Sequence, residues 1–400
     1  MVARLFVTVM VVLAVGLLVC GVLGAVGSAG AAPSSAEGQS ESGPPPVPAA
    51  VVTASPAVGA ADVPPDAVPS VAVDHGRIAD VSLVGSDGAA VPGTVSADGH
   101  RWTATGALAY DDTYTWSGHA SAEAGGAVPI AGAFTTVTPD ETTGAHVNIG
   151  DGDTVGVGAP IIVQFDHHVA DKAAAERAMQ VRTSVPTVGS WAWLDDDNGG
   201  SRAHWRPQNY WRPGTQVDVT VHQLGVDDGD GVWGRTDVTS QFTIGRSQIV
   251  RADVNSHQMV VITNGQESMN FPASYGLGSD PNRNTTNGIH VVMEKNQTVL
   301  MSNPKYHYEN VPEHWAVRIE NNGEFIHANP DTTGDQGSEN VTHGCVNLST
   351  DNAEQYFDTA IYGDPVEVTN SPIPLTPADG DISDWTVPWD QWVGMSALRA

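Results

Sequence analysis

From residue 51 to residue 247 the chain is written in short stretches with a period of two. In Val217-Asp218-Val219-Thr220-Val221 every second side chain is apolar, which fits a strand with one face in a core and the other in water. Gly, Pro, Asp and Asn interrupt these stretches, so turns come close together. Two portions repeat a loose pattern. The first runs from Trp102-Thr103-Ala104 through Tyr110 and Tyr114-Thr115-Trp116 to Phe134-Thr135. The second runs from Trp205-Arg206-Pro207 through Tyr210-Trp211 to Phe242-Thr243-Ile244. Each occupies about a hundred residues, the size of a two-sheet β-sandwich, which gives expected domains at 51–141 and 142–247. One segment breaks the period: residues 171–179, DKAAAERAM, are alanine-rich and predict a short helix.

The strand-and-turn pattern continues beyond 248. Residues 254–263 lead into Asn264-Gly265, a dipeptide suited to the left-handed backbone of a tight hairpin turn. Residues 289–293 and 297–301 predict further strands. Trp315-Ala316-Val317-Arg318-Ile319 leads to Asn322-Gly323, a second hairpin signal, and then to Phe325-Ile326-His327-Ala328. These elements predict a third β-rich domain at 248–370. In residues 371–400, Pro372, Pro374 and Pro377 exclude a helix and Asp379-Gly380-Asp381 reads as a turn. Trp385, Trp389 and Trp392 then fall at spacings that share one helical face, with Pro388 at its start. Three exposed tryptophans would form a sticky patch. The segment is therefore expected to pack on the 248–370 domain and against Trp193, Trp205 and Trp211 of the second sandwich.

The amino terminus follows a different rule. Leu5 to Val26 is an uncharged run of 22 residues preceded by Arg4, long enough to span a bilayer. It reads as a membrane anchor or as a cleaved secretory signal ending near Ala29-Gly30-Ala31, with lipidation at Cys20 as a third reading. All three place the remainder outside the cytoplasmic membrane. Residues 27–50 are rich in Ser, Pro, Gly and Ala and read as a flexible linker.

Charge narrows the partners. The formal net charge is −29, from 17 basic and 46 acidic residues. Nucleic acid needs clustered Lys and Arg to displace its counterions, so it is excluded as a partner. Glycine at 43 and proline at 26 agree with many turns and few helices.

The two cysteines change the picture most. With Cys20 in the apolar run, Cys345 has no disulfide partner in an exported chain, and a lone exported thiol beside histidines is a candidate nucleophile. A thiol attacks carbonyls as thiolate, which a neighbouring imidazole can generate and hold. His327 is placed to do so if its strand lies beside Cys345. His343, two residues away, suits an auxiliary role. Gly344 permits an unusual backbone angle, the amides of residues 344–346, including Val346, can serve an oxyanion, and Asn347 can bond a ring nitrogen or the turn. His327, His343 and Cys345 match no common zinc spacing, so no metal and no cofactor is implied.

The string HA–x13–THGCVN over residues 327–347 resembles the signature of the L,D-transpeptidase (YkuD) catalytic domain. Residues 191–221 resemble the immunoglobulin-like module that precedes that domain in actinobacterial members, and residues 384–392 resemble their carboxy-terminal segment. The resemblance covers about 145–395 well and the first sandwich weakly. It implies two immunoglobulin-like domains followed by a β-rich YkuD domain. It makes Cys345 the nucleophile, His327 the base and His343 the second motif histidine, with Thr342, Gly344 and Asn347 at the remaining motif positions. Met301 falls where relatives carry a pocket methionine. Relatives place a lid tyrosine where this chain has Glu309, with Tyr308 and Tyr306 nearby. The implied reaction is attack of Cys345 on the bond between residues three and four of a peptidoglycan stem tetrapeptide. D-Ala leaves, and an amine on a neighbouring stem resolves the thioester to give a 3→3 cross-link. Carbapenem β-lactams are the implied covalent inhibitors. Water or a free D-amino acid as acceptor, and a silent wall-binding array, are the rival readings.

Overall fold

The computed structural model describes residues 48–380 and 382–398. The anchor or signal at 1–26, Cys20 and nearly all of the 27–50 linker lie outside the described residues. The alternation seen in the sequence becomes burial. In Thr113–Ala122 the tyrosine and tryptophan at 114 and 116 are buried while their neighbours face water. Trp116 meets Trp102 edge-on at 5.4 Å and stands near Phe134 at 6.4 Å, closing a first core between two antiparallel sheets of residues 51–135.

A second core lies between two four-stranded sheets of residues 145–244. Its sheets carry Trp191, Trp193 and Trp205 on one side and Val217, Val219 and Val221 on the other. The predicted helix is present as Lys172–Ala178. Asp171 caps it, accepting from the amide of Ala174 at 2.9 Å.

The third core lies between a five-stranded and a four-stranded sheet. One sheet runs in the order Gln266–Pro272, Gln258–Thr263, Gln248–Asp253, Pro365–Thr369, Gly288–Val291; the other runs Glu294–Asn303, Tyr308–Arg318, Phe325–Ala328, Val346–Leu348. Asn264 and Gly265 take φ of 51° and 81° at the first hairpin, as the dipeptide predicts. A helix that the periodicity reading leaves out, Thr350–Thr359, packs on this second sheet. Ser349 caps it, and Ala353 and Tyr356 are buried.

The carboxy-terminal segment packs on both the second sandwich and the third domain, with its tryptophans chiefly on the sandwich. Trp392 is fully buried and donates to the carbonyl of Ser190 at 2.9 Å; Trp385 donates to the carbonyl of Gly158 at 2.8 Å. Arg206 lies among the rings of Trp385, Trp389 and Trp392, 4.7–5.3 Å from their centroids. The buried guanidinium explains the preference, because stacked aromatic faces replace part of its lost hydration. The turn Asp384–Thr386 also rests against strand Gly288–Val291 of the third core.

Candidate active site

Two adjacent parallel strands carry the pair. Ile326 lies opposite Val346 and His327 opposite Asn347, so His327 stands next to the residue entering the second strand, Cys345. The loop before that strand is tied from several sides. Thr342 Oγ1 donates to the carbonyl of Cys345 at 2.6 Å and accepts from the amide of Gly344 at 3.2 Å. Thr285 donates to the carbonyl of Gly344 at 2.7 Å. Gly344 has φ of 125°, and a Cβ there would stand 3.3 Å from the carbonyl oxygen of Asn284, so the position requires glycine. The amide of Gly344 is thus committed to Thr342. Among the described residues no acceptor lies on the amide of Cys345, which makes it the better oxyanion donor of the two.

Cys345 is half-buried, its Sγ 3.6 Å from the carbonyl of Gly323. His327 is almost fully buried. Its Nδ1 lies 2.9 Å from the carbonyl of Ala328 and 3.0 Å from Glu313 Oε2. Two acceptors at Nδ1 assign the proton there, which leaves Nε2 as the ring nitrogen free to serve Cys345. Burial alone presses the imidazole towards neutrality, but the bonds to Cys345 and Glu313 outweigh it and hold His327 up to about 10.

His343 turns away from this pair. It is exposed and packs against Tyr306 at 4.5 Å and Tyr308 at 5.6 Å. Partial burial, then the charge of Arg283, lowers its pKa. The side-chain amide of Asn347 donates to Thr332 Oγ1 at 3.3 Å, not to a histidine ring. Val346 is a buried strand residue. Met301 and Tyr308, with Cys345 and His343, line two cavities of about 430 and 280 Å³ that meet at the thiol. Beside Tyr308 on the lid hairpin, Tyr306 reaches across to Asp280 at 3.3 Å. The sequence reading passed over Glu313 and the Ala328 carbonyl. A backbone acceptor leaves no mark in the residue type, and Glu313 reads as one more charge on a strand.

Residues 60–227 match the bacterial Ig domain family and residues 247–368 the L,D-transpeptidase catalytic domain. L,D-transpeptidase 5 of Mycobacterium tuberculosis is 53% identical over 90% of this chain and 79% of that protein. The chain belongs to the L,D-transpeptidase family. L,D-transpeptidase 2 of the same organism is 38% identical to this L,D-transpeptidase, over 85% of this chain and 83% of its own length. A solved L,D-transpeptidase in complex with imipenem is 33% identical, with a TM-score of 0.47, over 56% of this chain and 97% of the other.

Proposed function

We propose that this L,D-transpeptidase acts outside the cytoplasmic membrane and forms 3→3 cross-links in peptidoglycan through a thioester on Cys345. The observation that carries this is the placement of Cys345 beside His327 on adjacent strands, with the thiol where two cavities meet. With His327 already holding the thiol's proton as imidazolium, the thiolate Sγ attacks the carbonyl carbon between the third and fourth residues of a donor tetrapeptide. The amide of Cys345 receives the oxyanion. As the C–N bond breaks, the imidazolium returns its proton to the nitrogen, and D-Ala departs. The acceptor amine then attacks the thioester from the other cavity, His327 takes its proton, and the thiol is restored. Separate spaces on either side of the thiol favour two bulky stems over water.

Incubation of the purified chain with disaccharide-tetrapeptide tests this. Dimers lighter than two substrates by one alanine and carrying a 3→3 linkage are expected. Tripeptide alone would make the enzyme a carboxypeptidase, and unchanged substrate would leave a wall-binding array. Carbapenems are proposed covalent inhibitors, because their strained carbonyl suits the same attack. The amino-terminal segment is proposed to tether or deliver the chain at the membrane.

A further inference from the structure

The hairpin that carries His327 contains a register fault. Beyond the Asn322-Gly323 turn, Arg318 lies opposite Phe325 and Val317 opposite Ile326. Directly opposed residues share a face of the sheet, and faces alternate along each strand. Continued without interruption, that register would put Ala316 opposite His327 and Glu313 on the other face. The ladder does not continue. Between His314 and Val317 it shifts by one, so that His314 lies opposite Ala328. Trp315, at the fault, has φ of 53°, a left-handed conformation unfavourable for a bulky side chain. Its ring is held edge-on against Phe357 at 5.3 Å. The consequence is that Glu313 and His327 share a face, one diagonal step apart.

The side chains meet there. Glu313 Oε2 is 3.0 Å from His327 Nδ1, with the two side chains 17% and 4% exposed. Charge-assisted bonds of this length in a mostly dry setting are among the stronger polar contacts. Bulges commonly re-aim a side chain at a site, and this one exchanges a tryptophan's backbone strain for a carboxylate at the base. The remaining titratable groups around the same cavity are Tyr308, Asp331, His343 and Cys345. Among the described residues Glu313 is the carboxylate paired with Nδ1.

We propose that Glu313 is a positioning residue of the active site: its carboxylate fixes His327 with Nε2 towards Cys345 and balances the positive charge that the ring gains when the thiol ionises. It is bonded to His327 Nδ1 and acts through that ring. The inference rests on the assignment of Cys345 and His327 made above.

The test is the pH profile of acylation by a carbapenem in the full chain, for wild type, Glu313→Gln and Glu313→Asp. Protonation of the leaving nitrogen requires imidazolium, so the alkaline limb reports His327. In Glu313→Gln the limb should move down by about one pH unit or more, and the plateau rate should fall about tenfold. Glu313→Asp should recover part of both. A limb unmoved in Glu313→Gln, with or without a lower rate, overturns the proposal, because lost packing alone slows the reaction without shifting its pH dependence. If Glu313→Gln does not fold, histidine-selective 15N spectra of the wild type decide. Measured also in Glu313→Asp, a His327 titration lower than in the wild type is expected, and coincident titration curves overturn the proposal. Failure of the underlying assignment looks different: the adduct would then survive in Cys345→Ala.

Discussion

At the scale of single residues, the site is a set of groups whose ionisation is set by neighbours. His327 is held protonated up to about 10, above its ordinary range. A raised imidazole contributes stability fully below its unfolded pKa and loses it as pH rises through the folded one. The wild type is therefore expected to lose stability between about pH 6.5 and 10, and Cys345→Ala, lacking the thiol partner, to lose it over a narrower and lower span. Thermal melts at stepped pH would show this; superimposable curves for the two proteins would contradict it. Glu324 is the second case. Burial drives its carboxyl up to about 8, although the amide and hydroxyl of Thr286 bond it at 3.0 and 3.1 Å. The folded state thus holds a proton that the unfolded chain releases above about 4.5, and stability should fall as pH rises from there towards 8. Glu324→Gln should flatten that slope. Its side chain lies 3.7 Å from where a Cβ of Gly344 would stand, so the effect is local to the nucleophile's loop. The cluster of Cys345, His327 and Gly344 was legible in the string around Cys345 because each residue type has few other uses in that order. Glu313 was not, because its role depends on a bulge.

Elements show the same division. Alternation and the Asn-Gly dipeptides identified strands and hairpins, since period and turn chemistry are local properties. The register within the lid-side sheet is not local: the turn sets one register and the fault at Trp315 replaces it. The helix Thr350–Thr359 was legible in principle. Ser349 before Asn352, whose amide its hydroxyl accepts at 3.3 Å, is a capping signal. It was hidden because the segment directly follows a strand and has little alanine. Ser349→Ala should cost about 1 kcal/mol. Urea unfolding would measure it, and no change in midpoint would mean that packing on the sheet alone holds the helix. The terminal strap is the stronger element. Trp392→Ala removes a fully buried indole and its bond to Ser190, an expected loss of about 3–5 kcal/mol. A variant as stable as wild type, but unable to sediment with insoluble peptidoglycan, would make the segment a glycan platform instead.

For the whole molecule, the informative feature is how the second sandwich meets the third core. Gly156 and Gly158 let two backbones touch, with amides of the former and latter on the carbonyls of Tyr362 and Gly363 at 2.7 and 2.8 Å. Arg246 forms a two-pronged pair with Asp364 at 3.0 and 2.8 Å, and the Asp364 side chain is fully buried. No local pattern announces an arginine just ahead of the third domain as the partner of a carboxylate more than a hundred residues later. Removing it leaves a buried charge without its partner, so Arg246→Ala should cost about 3–5 kcal/mol. A chain shortened to begin at 248 should be less stable than one that keeps Arg246, and equal melting temperatures would contradict this. None of these contacts involves the thiol. The central claim is that Cys345 is the nucleophile. Intact-mass spectrometry of the wild type and Cys345→Ala after exposure to a carbapenem tests it most directly. One added inhibitor mass is expected on the wild type, localised to the peptide containing Cys345, and none on the variant; an equal adduct on Cys345→Ala would contradict the assignment.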